Sequence, residues 1–158
     1  MPHSRFDWAG RIKAAEREYQ AVRLALDWLL NATPDELHDI TEARDWDDLA
    51  AADAYAADRN LDATYLIRMY SVFERAISSY WRLLPHNADR TVEGDVLIDE
   101  VGSARRILTD LIVGAQSVRM HRNRLVHGRI DDHAATMVFA DARRDLLSFL
   151  DKLPEAWG

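Results

Sequence analysis

The sequence contains no cysteine. Disulfide frameworks and thiolate metal sites are therefore excluded, although this absence alone does not choose a compartment. No stretch approaches the roughly 18 consecutive apolar residues of a membrane-spanning helix. Residues Met1 to Asp7 carry no apolar core of a signal peptide. A cytoplasmic protein with no membrane partner is expected. Three further features are missing: an alternating apolar–polar run bounded by hairpin turns, an internal repeat, and a low-complexity linker. Without the first, helices are left as the material of the fold.

What is present suits one folded domain. The chain has 158 residues, 48% of them hydrophobic and 30% charged, enough for a proper core and too apolar for disorder. The formal net charge of −7 is not that of a general nucleic-acid binder. The charge is unevenly placed, however. The stretch 31–62 is strongly acidic, whereas 117–130 carries arginines and histidines and no acid. A local basic cluster can meet a phosphate whatever the global charge. It can equally be a solvated helix face.

Helical periodicity runs through most of the chain. Ser4 suits an N-cap, and Ile12, Ala15, Tyr19, Val22, Leu26 and Leu29 mark one face of a helix ending near Asn31. Thr33, Pro34 and Glu36 form a helix-start signal of the capping-box type, predicting a short helix to about residue 41. The acidic, alanine-rich stretch at 45–58 is expected to be helical but weakly anchored, with Trp46, Leu49 and Tyr55 as its large apolar groups. It belongs to an acidic, mobile insertion at about 33–59.

Asn60 is read as the cap of a helix over 61–84. Tyr65, Leu66, Met69, Val72, Phe73, Ala76, Ile77, Tyr80 and Leu84 make its apolar face, and Arg68, Arg75 and Arg82 stripe the opposite side. Glu74 falls within or at the rim of the apolar arc, where a lone charge is costly. It needs an ion pair from a neighbouring helix, or it orients a site residue. A short helix over 95–101 ends at Gly102, another spans 109–128, and the last runs over 134–153 before Pro154. The predicted fold class is all-α: an antiparallel helical bundle of four to five main helices.

The chemistry concentrates at 117–129, SVRMHRNRLVHGR. On the helix over 109–128, Leu111, Ala115, Val118 and Leu125 mark the buried stripe, and Arg122 shares their side. Arg119, Asn123 and His127 follow one another at i, i+4 and stack on a ridge beside it. An Arg can hold a phosphate, an Asn can orient a neighbour, and a His can move a proton near neutral pH. In a chain of this composition an Arg-x4-His spacing arises by chance about 0.7 times, but with Asn directly after the Arg only about 0.02 times. A purely structural reading remains open. His127 also suits a helix C-terminal cation, and Arg122 a core-edge salt bridge with Glu74.

Arg122-Asn123-Arg124-Leu125-Val126-His127-Gly128 resembles the signature of HEPN domains, an Arg followed by a polar residue and then a His. The stretch 65–75, YLIRMYSVFER, resembles the second long helix of several HEPN groups, which carries an aromatic–Glu pair. The resemblance covers most of the chain as architecture but only these two segments as sequence. It implies a metal-independent endoribonuclease, acting as a toxin or in phage defence, with RNA as substrate and no cofactor. It also implies a homodimer in which two copies of the Arg/His helix form a composite site, and an antitoxin protein as a further partner. By this resemblance Arg122 holds the scissile phosphate, His127 is general acid or base, and Asn123 orients the His or a phosphate oxygen. Arg119 and Arg124 add backbone contacts, and Glu74 supports the site from behind. No metal ligand is expected. Some HEPN proteins are binding modules, so a non-catalytic module for a protein partner or nucleotide is the alternative.

Overall fold

The computed structural model describes residues 4–33, 35–36, 38–39, 51–85, 87–127 and 137–157. Among the described residues five helices carry the fold: α1 (Arg5–Asn31), α2 (Ala51–Trp81), α3 (Gly94–Ala104), α4 (Thr109–His127) and α5 (Phe139–Leu150). The protein is an all-α helical bundle. Among the described residues there is no strand, only an isolated antiparallel bridge between Ser4 and Ala156. No described helix is long and apolar enough to cross a membrane.

The α2 helix is the centre, packed against each of the other four. Its predicted face is the buried one: Leu66, Met69, Phe73, Ala76, Ile77 and Tyr80 are inside, joined by Tyr70 and Trp81. Against it lie Trp8 and Ile12 of α1, Leu97, Ile98 and Val101 of α3, Ala115 and Val118 of α4, and Leu146, Phe149 and Leu150 of α5. The α1 and α2 helices run antiparallel, because Glu18 pairs with Arg68 while Arg23, further along α1, pairs with Asp58 and Asp62, further back on α2.

Helix starts follow local chemistry. The Ser4 hydroxyl accepts from the Asp7 N–H at 3.1 Å, capping α1 as expected. The capping box also forms. The Thr33 N–H donates to Glu36 Oε2 at 2.8 Å, and the Glu36 N–H donates to the Thr33 hydroxyl at 3.3 Å. Residues 35, 36, 38 and 39 are helical. Pro34, Trp46, Leu49 and Gly128, singled out in the sequence, lie outside the described residues.

Three predicted boundaries are corrected. Asn60 does not cap a helix; α2 begins by Ala51 and runs straight through it. The Asn60 amide instead donates to the Ala56 carbonyl at 2.9 Å. Ala54 and Leu61 bury their side chains on either side of it. The stretch 51–59 is accordingly anchored, held by the Arg23–Asp58 contact at 2.6 Å. Gly102 does not end α3, which continues to Ala104. Its role is close packing: a Cβ there would stand 2.6 Å from Cδ1 of Ile112 on α4. The last helix begins at Phe139, since Val138 is extended, at φ −69° and ψ 132°, while residue 134, its expected start, lies outside the described residues. Phe139 stacks on Tyr19, with ring centroids 4.2 Å apart.

Phe73 is fully buried and meets Phe149 edge-to-face at 5.5 Å. Phe73→Ala should therefore cost about 3–5 kcal/mol, the range for deleting a buried aromatic. A urea titration following helical circular dichroism checks this. A loss below about 1 kcal/mol would show that this contact does not anchor the core.

Candidate functional site

The α4 helix presents its polar residues on two different sides. The first side faces α2 and α3. There the Arg122 guanidinium carbon stands 5.7 Å from the Tyr70 ring centroid, a cation–π arrangement. Arg122 Nη1 donates to Asn123 Oδ1 at 2.9 Å, whereas its Nε is buried and has no acceptor. One turn earlier, Arg119 Nε donates to Gln116 Oε1 at 2.8 Å, and its Nη2 lies 3.9 Å from Asp95 Oδ2. Gln116 in turn donates to the Asp95 carbonyl and to Asp99 Oδ1, both at 2.9 Å. These contacts tie the first half of the ridge to α3.

Glu74 reaches the same place from α2. At Gly94, the first residue of α3, an added Cβ would stand 3.1 Å from Glu74 Oε1, 3.4 Å from the Tyr70 hydroxyl oxygen and 3.5 Å from Arg119 Cδ. The missing side chain lets the three converge. Glu74 forms no ion pair among the described residues, so the predicted salt bridge with Arg122 is absent. The Tyr70 hydroxyl is buried and has no hydrogen-bond partner among the described residues. Burial pushes its pKa well above the usual tyrosine range, and the nearby Glu74 carboxylate adds to the rise.

The second side faces α1 and α5. Here His121 and Arg124 help line a cavity of about 380 Å³. Its floor is apolar, from Leu66, Leu125 and Phe139, and its far wall is the Arg23–Asp58–Asp62 cluster. Burial lowers the His121 pKa below the usual histidine value, with the Arg124 charge as a smaller cause. The ring is thus biased toward its neutral form.

The predicted site residues therefore divide. Arg119, Arg122 and Glu74 surround Tyr70, and Asn123 joins them through Arg122. Arg124 belongs to the opposite cavity. His127 is exposed in the last turn of α4, with no hydrogen bond or ion pair among the described residues. It lies one turn beyond Asn123 on the same ridge, but no contact joins it to Arg122. Tyr70 and His121 were not singled out as site residues. The signal for His121 was available: it lies at i+3 from Val118 and i−4 from Leu125, on the buried stripe. Among the described residues no group of His, Asp and Glu gathers in a way that would hold a metal ion.

Burial and Arg124 act on His121 in the same direction, which sets a test. An NMR titration of the His121 ring should give a midpoint below 6.5, and Arg124→Ala should move it upward. Because the folded value is depressed, stability from this group is present above the unfolded midpoint near 6.5. It is lost as pH falls through that value toward the folded one. A midpoint at or above 6.5 would show that burial and the Arg124 charge do not govern this ring. Compared with protein-family models, curated proteins and solved structures, the chain matches none, and the site stands on its geometry alone.

Proposed function

We propose that the protein is a metal-independent endoribonuclease of HEPN type, acting as a toxin or anti-phage factor, with a site completed by a second copy of the chain. The observation that carries this reading is the state of Arg122. It is a half-buried guanidinium with no carboxylate partner among the described residues, oriented by Asn123 at 2.9 Å. A cation in that position is normally neutralised by an acid. Left unneutralised, it is suited to a phosphodiester, whose charge it stabilises as the transition state forms. His127 stands further along the same helix with its ring open to solvent. Buried polar atoms without partners, here Arg122 Nε and the Tyr70 hydroxyl, also mark sites under functional demand.

The reaction follows from these groups. The ribose 2′-oxygen attacks phosphorus, giving up its proton to a neutral His127. The bond from phosphorus to the 5′-oxygen breaks, and that oxygen takes a proton from a second, protonated imidazole. The products carry a 2′,3′-cyclic phosphate and a 5′-hydroxyl. One chain offers one such histidine on the ridge; two copies of α4 offer the base and the acid together.

The test is RNA cleavage in chelator. Wild type should cut, leaving cyclic-phosphate ends, and His127→Ala should lower the rate by about 10²–10⁴-fold, the usual range for general acid–base catalysis. Equal cleavage by the variant, or cleavage only with added magnesium, would overturn the reading. Specific activity should also fall in proportion to protein concentration once the dimer dissociates. Activity independent of dilution, with a monomer in sedimentation, would remove the shared site.

A second reading has its own observation. Arg122 turns inward over Tyr70 while His127 turns outward, so one chain alone does not bring them to one point. A non-catalytic module that binds a protein or nucleotide accommodates that geometry. It predicts binding without turnover in the same assay.

A further inference from the structure

Away from the α4 ridge, a cavity of about 520 Å³ opens between α1 and α2 beside the start of α3. Its walls carry three guanidinium groups, Arg11 from α1, Arg75 from α2 and Arg82 from the turn that follows α2. The Arg82 N–H still donates to the Ser78 carbonyl at 3.1 Å, so Arg75 and Arg82 stand about two helical turns apart on one side, about 10.5 Å. Ser78 lies between them, and its hydroxyl has no hydrogen-bond partner among the described residues. One carboxylate, Glu74, borders the cavity at its Gly94 end.

Three arginines that meet at one cavity without an acid to neutralise them set this face apart. The chain carries a net charge of −7, so acids are plentiful. Many neutralise arginines elsewhere, although scattered ones such as Arg17, Arg105, Arg106 and Arg124 also form no ion pair among the described residues. Arg23 pairs with Asp58 and Asp62, Arg68 with Glu18, Arg143 with Glu16, and Arg144 with Asp141 and Asp145. Arg11, Arg75 and Arg82 form no ion pair among the described residues. Arg11 lies instead over the Trp8 ring, 5.2 Å from its centroid. Trp8 supplies a second, independent sign. The side chain lines the same cavity and is only 3% exposed, yet its indole N–H is buried without an acceptor. A buried donor left unpaired calls for an acceptor. Three unpaired guanidiniums, a free hydroxyl and an orphaned indole N–H form a donor set with a single acid against it.

We propose that this cavity binds a phosphoryl group. A phosphoryl group offers several oxygen acceptors and at least one full negative charge, which planar guanidiniums match in pairs. The group can come as a free anion or as the end of a nucleic-acid strand; the chemistry recognised is the same. The cavity shares Glu74 with the Tyr70 cluster but includes neither Arg122 nor His127, and binding there does not depend on RNA cleavage.

Calorimetric titration of the full chain with sodium phosphate and pyrophosphate, at constant ionic strength, tests it. Wild type should bind pyrophosphate more tightly than phosphate. The Arg75→Ala/Arg82→Ala double variant should bind at least tenfold more weakly, and Arg17→Ala, an exposed arginine outside the cavity, should be unchanged. Glu74→Gln removes the one opposing charge and should strengthen binding several-fold. Both arginines are exposed, and circular dichroism verifies that the double variant is folded. A 2′-O-methyl oligonucleotide, which resists cleavage by 2′-oxygen attack, separates the sources. Tighter binding of its 5′-phosphorylated form than of its 5′-hydroxyl form, lost in the double variant, assigns the site to a strand end. Binding of the small anions without that difference assigns it to a free phosphate. The proposal is overturned if wild type shows no phosphoryl-dependent binding in the millimolar range, or if such binding survives in the double variant.

Discussion

The bundle depends on one surface, the apolar band of α2. Every other helix covers part of it, and Phe73, Ile77 and Met69 have no remaining exposure. The position of each polar group follows from this. A helix that must keep Phe73 dry fixes the direction of Tyr70 and Glu74 as well, because they lie one turn or less away. Glu74 therefore reaches the rim where α3 begins and α4 passes. The polar cluster is not built separately from the core; it is the margin of the same face.

That margin holds charges in unequal conditions. Arg119 is bound into a network with Gln116, Asp95 and Asp99. Arg122 has an aromatic ring beneath it and an amide beside it, but no acid among the described residues. On the far side of α4, Asp58 and Asp62 are already satisfied by Arg23, and Asp62 also accepts from the Tyr19 hydroxyl at 2.8 Å. Of the described acids in the acidic stretch, Asp58 and Asp62 thus line the cavity beside His121 and Arg124. Local neutralisation, rather than the sum of charges, decides which cations remain available.

Much of this was legible in the sequence. The spacing of Leu66, Met69, Phe73, Ile77 and Tyr80 named the face that is buried, and Ala115 and Val118 named the inner stripe of α4. Periodicity works here because a helix that packs on one side records its neighbour every third or fourth residue. Boundaries were less legible. Asn60 and Gly102 both look like punctuation, yet tertiary contacts override them: Asp58 and Asp62 bind α1, and Ile112 needs the space above Gly102. The ridge was legible as a row of residues, but not the direction of each side chain. That Arg122 lies on Tyr70, 52 positions earlier, is decided by the meeting of two helices. The cavity at His121 draws on four helices and has no signature in any one of them.

The last described residues have a consequence for timing. Trp157 donates its indole N–H to Ser79 at 3.0 Å and packs edge-on against Tyr80, across a separation of 78 residues. Residue 155 accepts from the backbone of residue 5, and Phe149 closes over Phe73. During synthesis the earlier helices emerge long before these covers do. Part of the α2 band then stays uncovered until residues 139–157 arrive, so a chain that can already make α1 and α2 still lacks that share of the cover of its own core. Contacts of such long sequence separation slow folding as a whole. The ridge on α4 rests on the same core, so its placement too depends on residues 139–157.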